Sequence, residues 1–360
     1  MKSFIGCDAH KKYSVFASIN EAGQKGAYVR VENNRVLFRR FLSVLPRRSV
    51  IALETVGNWY WMVDEIEKAG HVPRLAHAAK AKLMMGQINK SDKLDAQALA
   101  LLLRNGTLPT VWIPPGELRD QRELPRMRMA LVQIKTKLKN RIHATLNKYA
   151  LQIPDISDIF GLTGRLILRN CLREPPPYTR QSVETQLELL DQVENHIRLY
   201  EKNIEAVVKK TPTMELLMTL PGVGYILAAV MALEIGEVGR FPSSHHLASY
   251  AGTVPRIKES GGKSFRGRVC SDVNRYLKWA LVEAANIIVM NQRCWSDRHV
   301  VQLYWRIKER QGHAKAVVAV ARHLVEAAFW VLKRNEAYKE PQWNRTVSST
   351  RKSTRKMHET

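Results

Sequence analysis

The sequence predicts an α/β domain followed by a mainly helical chain, and three observations predict it. Short apolar runs alternate with helix-length amphipathic stretches over the first third. Pro114-Pro115-Gly116 then breaks the pattern. Beyond that break the apolar residues recur every three or four positions, the period of helices.

Taken in order, Phe4 to Asp8 is a short apolar run ending in an acid, and Tyr13, Val15, Ala17 and Ile19 alternate as in a half-buried strand. Residues 21–26 form a turn and Ala27 to Val31 a third strand. Val36 to Leu45 reads as a helix, and Val50 to Leu53 as a buried strand that ends at Glu54. Asn58 to Ala69 is helical and stops at Gly70, and His71 to Ala76 is a further strand. Ser91 can cap a helix running to Arg104, with Gly106 just past its end. Strands first in a hairpin-like run, then alternating with helices, predict a mixed sheet flanked by helices.

After the break, Met127, Leu131, Ile134, Leu138, Ile142, Leu146 and Tyr149 form one apolar stripe. Val183, Leu187, Leu190, Val193, Ile197, Ile204 and Val207 form another. Both suit amphipathic helices of coiled-coil character, joined as an intramolecular hairpin or used as a dimer seam. Pro154 and Pro175-Pro176-Pro177 enforce breaks between them. Lys135, Lys137, Lys139, Arg141 and Lys148 lie opposite the first stripe, as a solvated face or as one that tracks a nucleic-acid backbone. The expected organisation is an α/β domain over residues 1–114, a helical linker over 115–210, a helical domain over 211–340 and a basic disordered tail over 341–360.

Charge supplies the first functional clue. Lys and Arg number 57 against 33 Asp and Glu, a formal net charge of +24 in 360 residues. Such an excess points to a polyanion, and nucleic acid suits it because each neutralised phosphate releases counterions. An anionic membrane fits less well, since the basic residues are spread over long helical stretches instead of one cluster. The four cysteines, Cys7, Cys171, Cys270 and Cys294, have the spacing of neither a zinc site nor a disulfide framework, so a reducing cytoplasm is expected. No signal-peptide pattern opens the sequence, and no apolar run approaches the ~20 residues that cross a bilayer.

Four acids could carry chemistry. Asp8 and Glu54 end predicted strands, and Asp92 and Asp95 lie one turn apart at a helix start. Gathered at one sheet edge, they would offer the hard oxygen ligands that suit Mg²⁺ or Mn²⁺. Two such ions about 4 Å apart stabilise the attacking and leaving oxygens of phosphoryl transfer. Singly, each acid is equally at home as a strand-end solvated group, a salt-bridge half or a favourable charge at a helix N-terminus.

Leu220-Pro221-Gly222-Val223-Gly224 joins two predicted helices, the second running from Ile226 to Ile235. Its glycines can expose backbone N–H groups to a phosphate, as in a helix-hairpin-helix, or simply relieve backbone strain in a helix–helix turn. Ser260 follows in a glycine-rich stretch, among Arg256, Lys258, Lys263, Arg266 and Arg268. Those cations would stabilise the charge that develops when a hydroxyl attacks a phosphate. On the residues alone Ser264 and Ser271 serve equally, and a plain DNA-contact loop is the simpler reading.

Together these pieces resemble the insertion-sequence transposases with a DEDD carboxylate set, which include the Piv-type DNA invertases. The motifs that carry the resemblance are Gly6-Cys7-Asp8-Ala9-His10-Lys11, Leu53-Glu54-Thr55-Val56-Gly57 and Ser91-Asp92-Lys93-Leu94-Asp95-Ala96. Leu220 to Gly224, Ala251 to Arg256 and Glu259-Ser260-Gly261 complete the set, and the resemblance as a whole covers the chain from about residue 4 to about residue 335. The resemblance implies a RuvC-like, RNase H-type N-terminal domain, a coiled-coil linker and a helical C-terminal transposase domain. It implies that Asp8, Glu54, Asp92 and Asp95 bind Mg²⁺ (or Mn²⁺) and that Ser260 forms a covalent phosphoserine link to DNA. It also implies nucleic-acid contacts from Lys11, Gly222, Gly224, Arg256, Lys263, Arg266 and Arg268. The implied partners are donor and target double-stranded DNA, a structured noncoding bridge RNA, and further copies of the chain in a dimer or tetramer whose subunits share the two sites. One stretch departs: where the family often has Ser-Lys-x-Gly, this chain has Ser271-Asp272-Val273-Asn274, so an acid replaces a base and Asn replaces Gly.

Two other functions share some of these features. A hydrolytic nuclease of the junction-resolvase type would use the carboxylates with water and survive loss of Ser260. A nucleic-acid-binding protein without activity would bind and never cut. The complete carboxylate set argues against the second, and Ser260 in its matching context against the first.

Overall fold

The computed structural model describes residues 3–55, 57–86, 91–151, 154, 156, 158–207, 211–269 and 272–341, with only the backbone at 257, 258, 263, 264, 266 and 268. The chain divides into two compact units, Met1–Gly116 and Glu117–Thr360. Apart from Pro341, the expected basic tail lies outside the described residues.

The first unit is a six-stranded mixed sheet with helices on both faces. Its elements are β1 (Ser3–Ala9), β2 (Tyr13–Asn20), β3 (Val29–Glu32), α1 (Arg35–Ser43), β4 (Val50–Glu54), α2 (Trp59–Lys68), β5 (Val72–Ala76), α3 (Ala78–Met85), α4 (Asp92–Arg104) and β6 (Thr110–Val111). The strand order is β3-β2-β1-β4-β5-β6. β1, β4 and β5 run parallel, while β2, β3 and β6 join antiparallel. The predicted elements are present with their ends moved by one or two residues; α3 and the two-residue β6 are additions that the sequence did not announce.

Alternation along the strands sorts the two faces. Ile5, Cys7, Phe16, Ile51 and Leu53 pack with Phe38 and Leu42 of α1 and with Met62, Val63 and Ile66 of α2. The opposite face presents small residues: Val15 and Ala17 meet Ala96, and Ala52 and Ala76 meet Ala81 and Leu99. α4 therefore lies close to the sheet. At Gly6 an added Cβ would stand 2.0 Å from the Ala96 carbonyl oxygen and 2.6 Å from the Ala100 nitrogen. Only glycine lets β1 and α4 approach backbone to backbone.

The second unit is helical apart from one hairpin. It comprises α5 (Gly116–Gln121), α6 (Glu123–Lys148), α7 (Leu162–Cys171), α8 (Pro177–Val207), α9 (Pro212–Met218), α10 (Tyr225–Ile235), α11 (Ser244–Tyr250), β7 (Pro255–Ser260), β8 (Lys263–Val269), α12 (Arg275–Met290), α13 (His299–Gln311) and α14 (His313–Arg334). The two apolar stripes meet as an antiparallel helix pair: Ile142 and Leu146 of α6 share a core with Val183, Leu187 and Leu190 of α8. Arg128 pairs with Glu201 at 2.6 Å and Lys135 with Glu194 at 2.9 Å, which fixes the antiparallel sense. Met127 and Ile134, on the same predicted stripe, stay exposed. Of the basic residues opposite, Lys135 and Lys139 turn to acids, while Lys137, Arg141 and Lys148 face solvent.

The larger core draws on α9 to α14 and takes in Ile204 of α8. Glu234 of α10 is wholly buried and pairs with Arg126 at 2.8 Å, while Arg122 donates to the carbonyls of Leu233 and Glu234. Those contacts bind the start of α6 into the same compact unit as residues 211–340, so the helical stretch after the proline break is no separate body. Among the described residues no helix is long and apolar enough to cross a membrane.

Candidate functional site

The four predicted acids sit on elements whose geometry directs them to one place. Asp8 follows Gly6 on its own face of β1, and Glu54 follows Ala52 on its face of β4. These neighbouring parallel strands pair up to Cys7 and Leu53, so both acids emerge at the same strand ends, on the face that α4 covers. Ser91 caps α4, its hydroxyl accepting from the Leu94 N–H, and Asp92 and Asp95 fill the first turn.

Asp8 and Asp92 are bridged by a residue that the sequence reading passed over. The Nε2 of His10 lies 3.2 Å from an oxygen of each carboxylate. One donor atom from each of Asp8, His10 and Asp92 falls within 4.8 Å of the others, the spacing of a metal-ligand group. Burial pushes the Asp8 carboxyl up, opposed by His10 and reinforced by the charges of Asp92 and Asp95. Burial likewise raises the Glu54 carboxyl, with the charges of Asp8 and Asp95 adding to it and Lys82 opposing. Asp92 is held low, first by the Tyr13 hydroxyl, which donates to it at 3.0 Å. Asp8 feels the charges of Asp92 and Asp95, and Glu54 those of Asp8 and Asp95, and a divalent cation would relieve the two carboxyls, Asp8 and Glu54, that burial makes uncomfortable when charged.

Ser260 lies at the end of β7, exposed, and pairs in register with Lys263 of β8. Gly261 and Gly262 between them both have positive φ, +57° and +75°, as a two-residue hairpin turn requires. Residues 255–269 thus form a β-hairpin, whose turn the two consecutive glycines satisfy. Arg256 is exposed near its base. The side chains of Lys258, Lys263, Ser264, Arg266 and Arg268, and the whole of Ser271, lie outside the described residues.

The glycine loop between α9 and α10 holds two different glycines. Gly222 has φ of +76°, and a Cβ there would stand 2.4 Å from the Ala284 carbonyl oxygen of α12. Gly224 is exposed, has φ of −90° and meets nothing within 4 Å. Packing against α12 accounts for Gly222, and only Gly224 offers open backbone to a ligand. Lys11, in the turn after β1, is exposed.

Two family models match this chain. A DEDD-type transposase model of IS110 elements matches residues 5–151, and the model of the transposase IS116/IS110/IS902 family matches residues 214–300. The transposase for insertion sequence element IS1111A of Coxiella burnetii is 30% identical over 265 residues, covering 70% of this chain and 69% of that one. The chain belongs to the IS116/IS110/IS902 transposase family. A probable family 20 transposase of Pseudomonas aeruginosa is 26% identical over 89% of this chain and 93% of its own length. The transposase for insertion sequence element IS1328 of Yersinia enterocolitica is 24% identical over 80% and 84%. The first matched segment contains Asp8, Glu54, Asp92 and Asp95, and the second contains Gly222, Gly224, Arg256 and Ser260.

The divergent Asn274 has a structural task. Its side-chain oxygen accepts from the N–H groups of Tyr276 and Leu277, capping α12. Its amide donates to Glu234 at 2.8 Å and to the Tyr250 hydroxyl at 2.8 Å. Its backbone N–H donates to the Tyr250 carbonyl, closing the loop that carries the β7–β8 hairpin. An Asn immediately before a long apolar helix was the available signal for the cap. Nothing in the sequence pairs it with Glu234, and His10 stood in a motif without a role.

Proposed function

We propose that this chain is the transposase of an insertion sequence, cutting and rejoining DNA strands by phosphoryl transfer. Asp8, Glu54, Asp92 and Asp95 hold Mg²⁺ or Mn²⁺ in an RNase H-type, RuvC-like domain. A bound cation there would stabilise the oxygens that gain charge as a phosphodiester is attacked. The observation that carries this reading is the convergence of acids from β1, β4 and α4, in a chain of net charge +24.

Ser260 is the nucleophile. Its hydroxyl oxygen attacks the phosphorus, the DNA hydroxyl leaves, and the 3′- or 5′-end stays joined to the protein as a phosphoserine until a second DNA hydroxyl displaces it. Exposure at the end of β7, beside a two-residue turn, supports the role, because it leaves the hydroxyl open to a DNA phosphate. Lys11, Gly224, Arg256, Lys263, Arg266 and Arg268 contact the DNA backbone, Gly222 shapes the loop, and a bridge RNA selects donor and target. Copies of the chain assemble as a dimer or tetramer.

Recombination in cells carrying the element's own flanking DNA tests this. Both Ser260→Ala and Asp8→Ala abolish it, and a serine–DNA adduct is recovered from the wild type by mass spectrometry. Activity surviving in Ser260→Ala overturns the serine step and leaves a nuclease that uses water.

A further inference from the structure

The His10 imidazole is built into the carboxylate site more firmly than a chance surface contact. Its backbone carbonyl accepts from the side-chain amides of Asn33 and of Asn58, so the loop after β1 is pinned from two elements. Its ring packs on Tyr13, with centroids 4.8 Å apart, and Tyr13 in turn holds Asp92 through its hydroxyl. Arg30 covers the Tyr13 ring at 3.8 Å, which restricts the tyrosine from swinging away. The Nε2 atom is shut off from solvent and has no in-line hydrogen-bond partner, although the ring as a whole is part exposed.

The spacing has a coordination meaning. Neighbouring ligand atoms around an octahedral divalent cation with bonds near 2.1 Å stand about 3.0 Å apart. The two contacts from Nε2 to the carboxylate oxygens of Asp8 and Asp92 are both 3.2 Å. With all three donor atoms within 4.8 Å of one another, a nitrogen held at that distance from both oxygens, on a loop fixed by Asn33, Asn58 and Tyr13, is placed to share one cation with them. An imidazole among carboxylates shifts preference from Mg²⁺, which favours oxygen alone, towards first-row transition ions.

We propose that His10 is a metal ligand, making this a mixed nitrogen–oxygen site that prefers Mn²⁺ over Mg²⁺. The inference rests on the carboxylate reading above, and its test separates the two. Full-length protein is loaded with Mn²⁺, and pulsed electron paramagnetic resonance measures nitrogen modulation at the bound ion. The expected result is imidazole nitrogen modulation in the wild type that disappears in His10→Gln while Mn²⁺ still binds. Mn²⁺ affinity then falls about tenfold to a hundredfold, the scale on which even outer partners of a metal act, and Mg²⁺ affinity falls less. His10→Asn, too short to reach the same point, behaves like His10→Gln. Bound Mn²⁺ with no nitrogen modulation, or modulation unchanged in His10→Gln, overturns the proposal and leaves His10 as a charge partner of the two acids. Mn²⁺ bound equally well by Asp8→Ala overturns the carboxylate reading itself.

Discussion

Gly6 of β1 and Ala96 of α4 are in backbone contact: a methyl group on Gly6 would come within 2.0 Å of the Ala96 carbonyl oxygen. The contact sets the height of α4 above the sheet and hence the distance from Asp8 to the helix's first turn. Gly6→Ala must push α4 outward or bend β1, since the obstructing atoms are backbone and cannot rotate away. Overpacking of this kind costs about 1–3 kcal/mol or more. The expected outcome is a lower thermal transition of the N-terminal unit, with divalent-cation binding lost well below that temperature. Cation binding equal to the wild type would show that Asp8 and Asp92 do not depend on this contact.

The first unit also holds a charge device remote from the candidate site. Glu65 of α2 is 1% exposed and receives Arg35 and Arg39 from α1. The hydrogen bond from Arg39 leads in holding its carboxyl down to about 2, against an ordinary value of 4.5. A carboxyl whose folded value is depressed stabilises the fold above its unfolded value, and that stability drains as pH falls through the folded one. Acid titration of the wild type should therefore show stability declining between pH 4.5 and about 2. Glu65→Gln removes this contribution, so its stability should change less over that window. Identical acid profiles for the two proteins would refute the assignment.

Legibility in the sequence followed locality. The strands and helices of the first unit were readable because Tyr13, Val15, Ala17 and Ile19 alternate and Ser91 announces a cap. The acids at Asp8 and Glu54 were readable because they end apolar runs. The β7–β8 hairpin was not, since its strands are polar and basic and carry no alternation of core residues; only Gly261-Gly262 marks the turn. His10 and Asn274 were missed for a further reason. Their partners stand far along the chain, at Asp92 and Glu234, and long-range pairing leaves no period to read.

Asn274 separates two tasks that mutation can distinguish. Asn274→Ala removes the cap of α12, worth about 1 kcal/mol, and also the donor that meets Glu234 and Tyr250. Asn274→Ser keeps a capping oxygen but is too short to span to Glu234. The expected order of thermal stability is wild type, then serine, then alanine. Hydrogen exchange should quicken in the β7–β8 amides of both variants, because the loop bearing the hairpin is closed at Tyr250 and Asn274. Hairpin exchange unchanged in Asn274→Ser would mean the backbone bond from Asn274 to Tyr250 suffices to hold the loop.

The two glycines of the α9–α10 loop make opposite predictions. Gly222→Ala places a side chain in a left-handed conformation and 2.4 Å from the Ala284 carbonyl oxygen. Strain and clash together should cost more than about 2 kcal/mol, visible as a lower denaturation midpoint of the helical unit. Gly224→Ala meets neither obstacle, since its φ is −90° and the space around it is open. Its folding cost should stay within about 1 kcal/mol, the range for replacing a glycine at a helix N-cap. If the exposed loop backbone receives a phosphate, the added methyl crowds that approach, and DNA affinity falls while the fold is intact. Measuring DNA binding against salt with both variants separates the cases, because a weakened Gly222→Ala protein is explained by packing alone. Unchanged binding in a folded Gly224→Ala protein would leave the loop a helix–helix turn and place the phosphate contacts elsewhere in the helical unit.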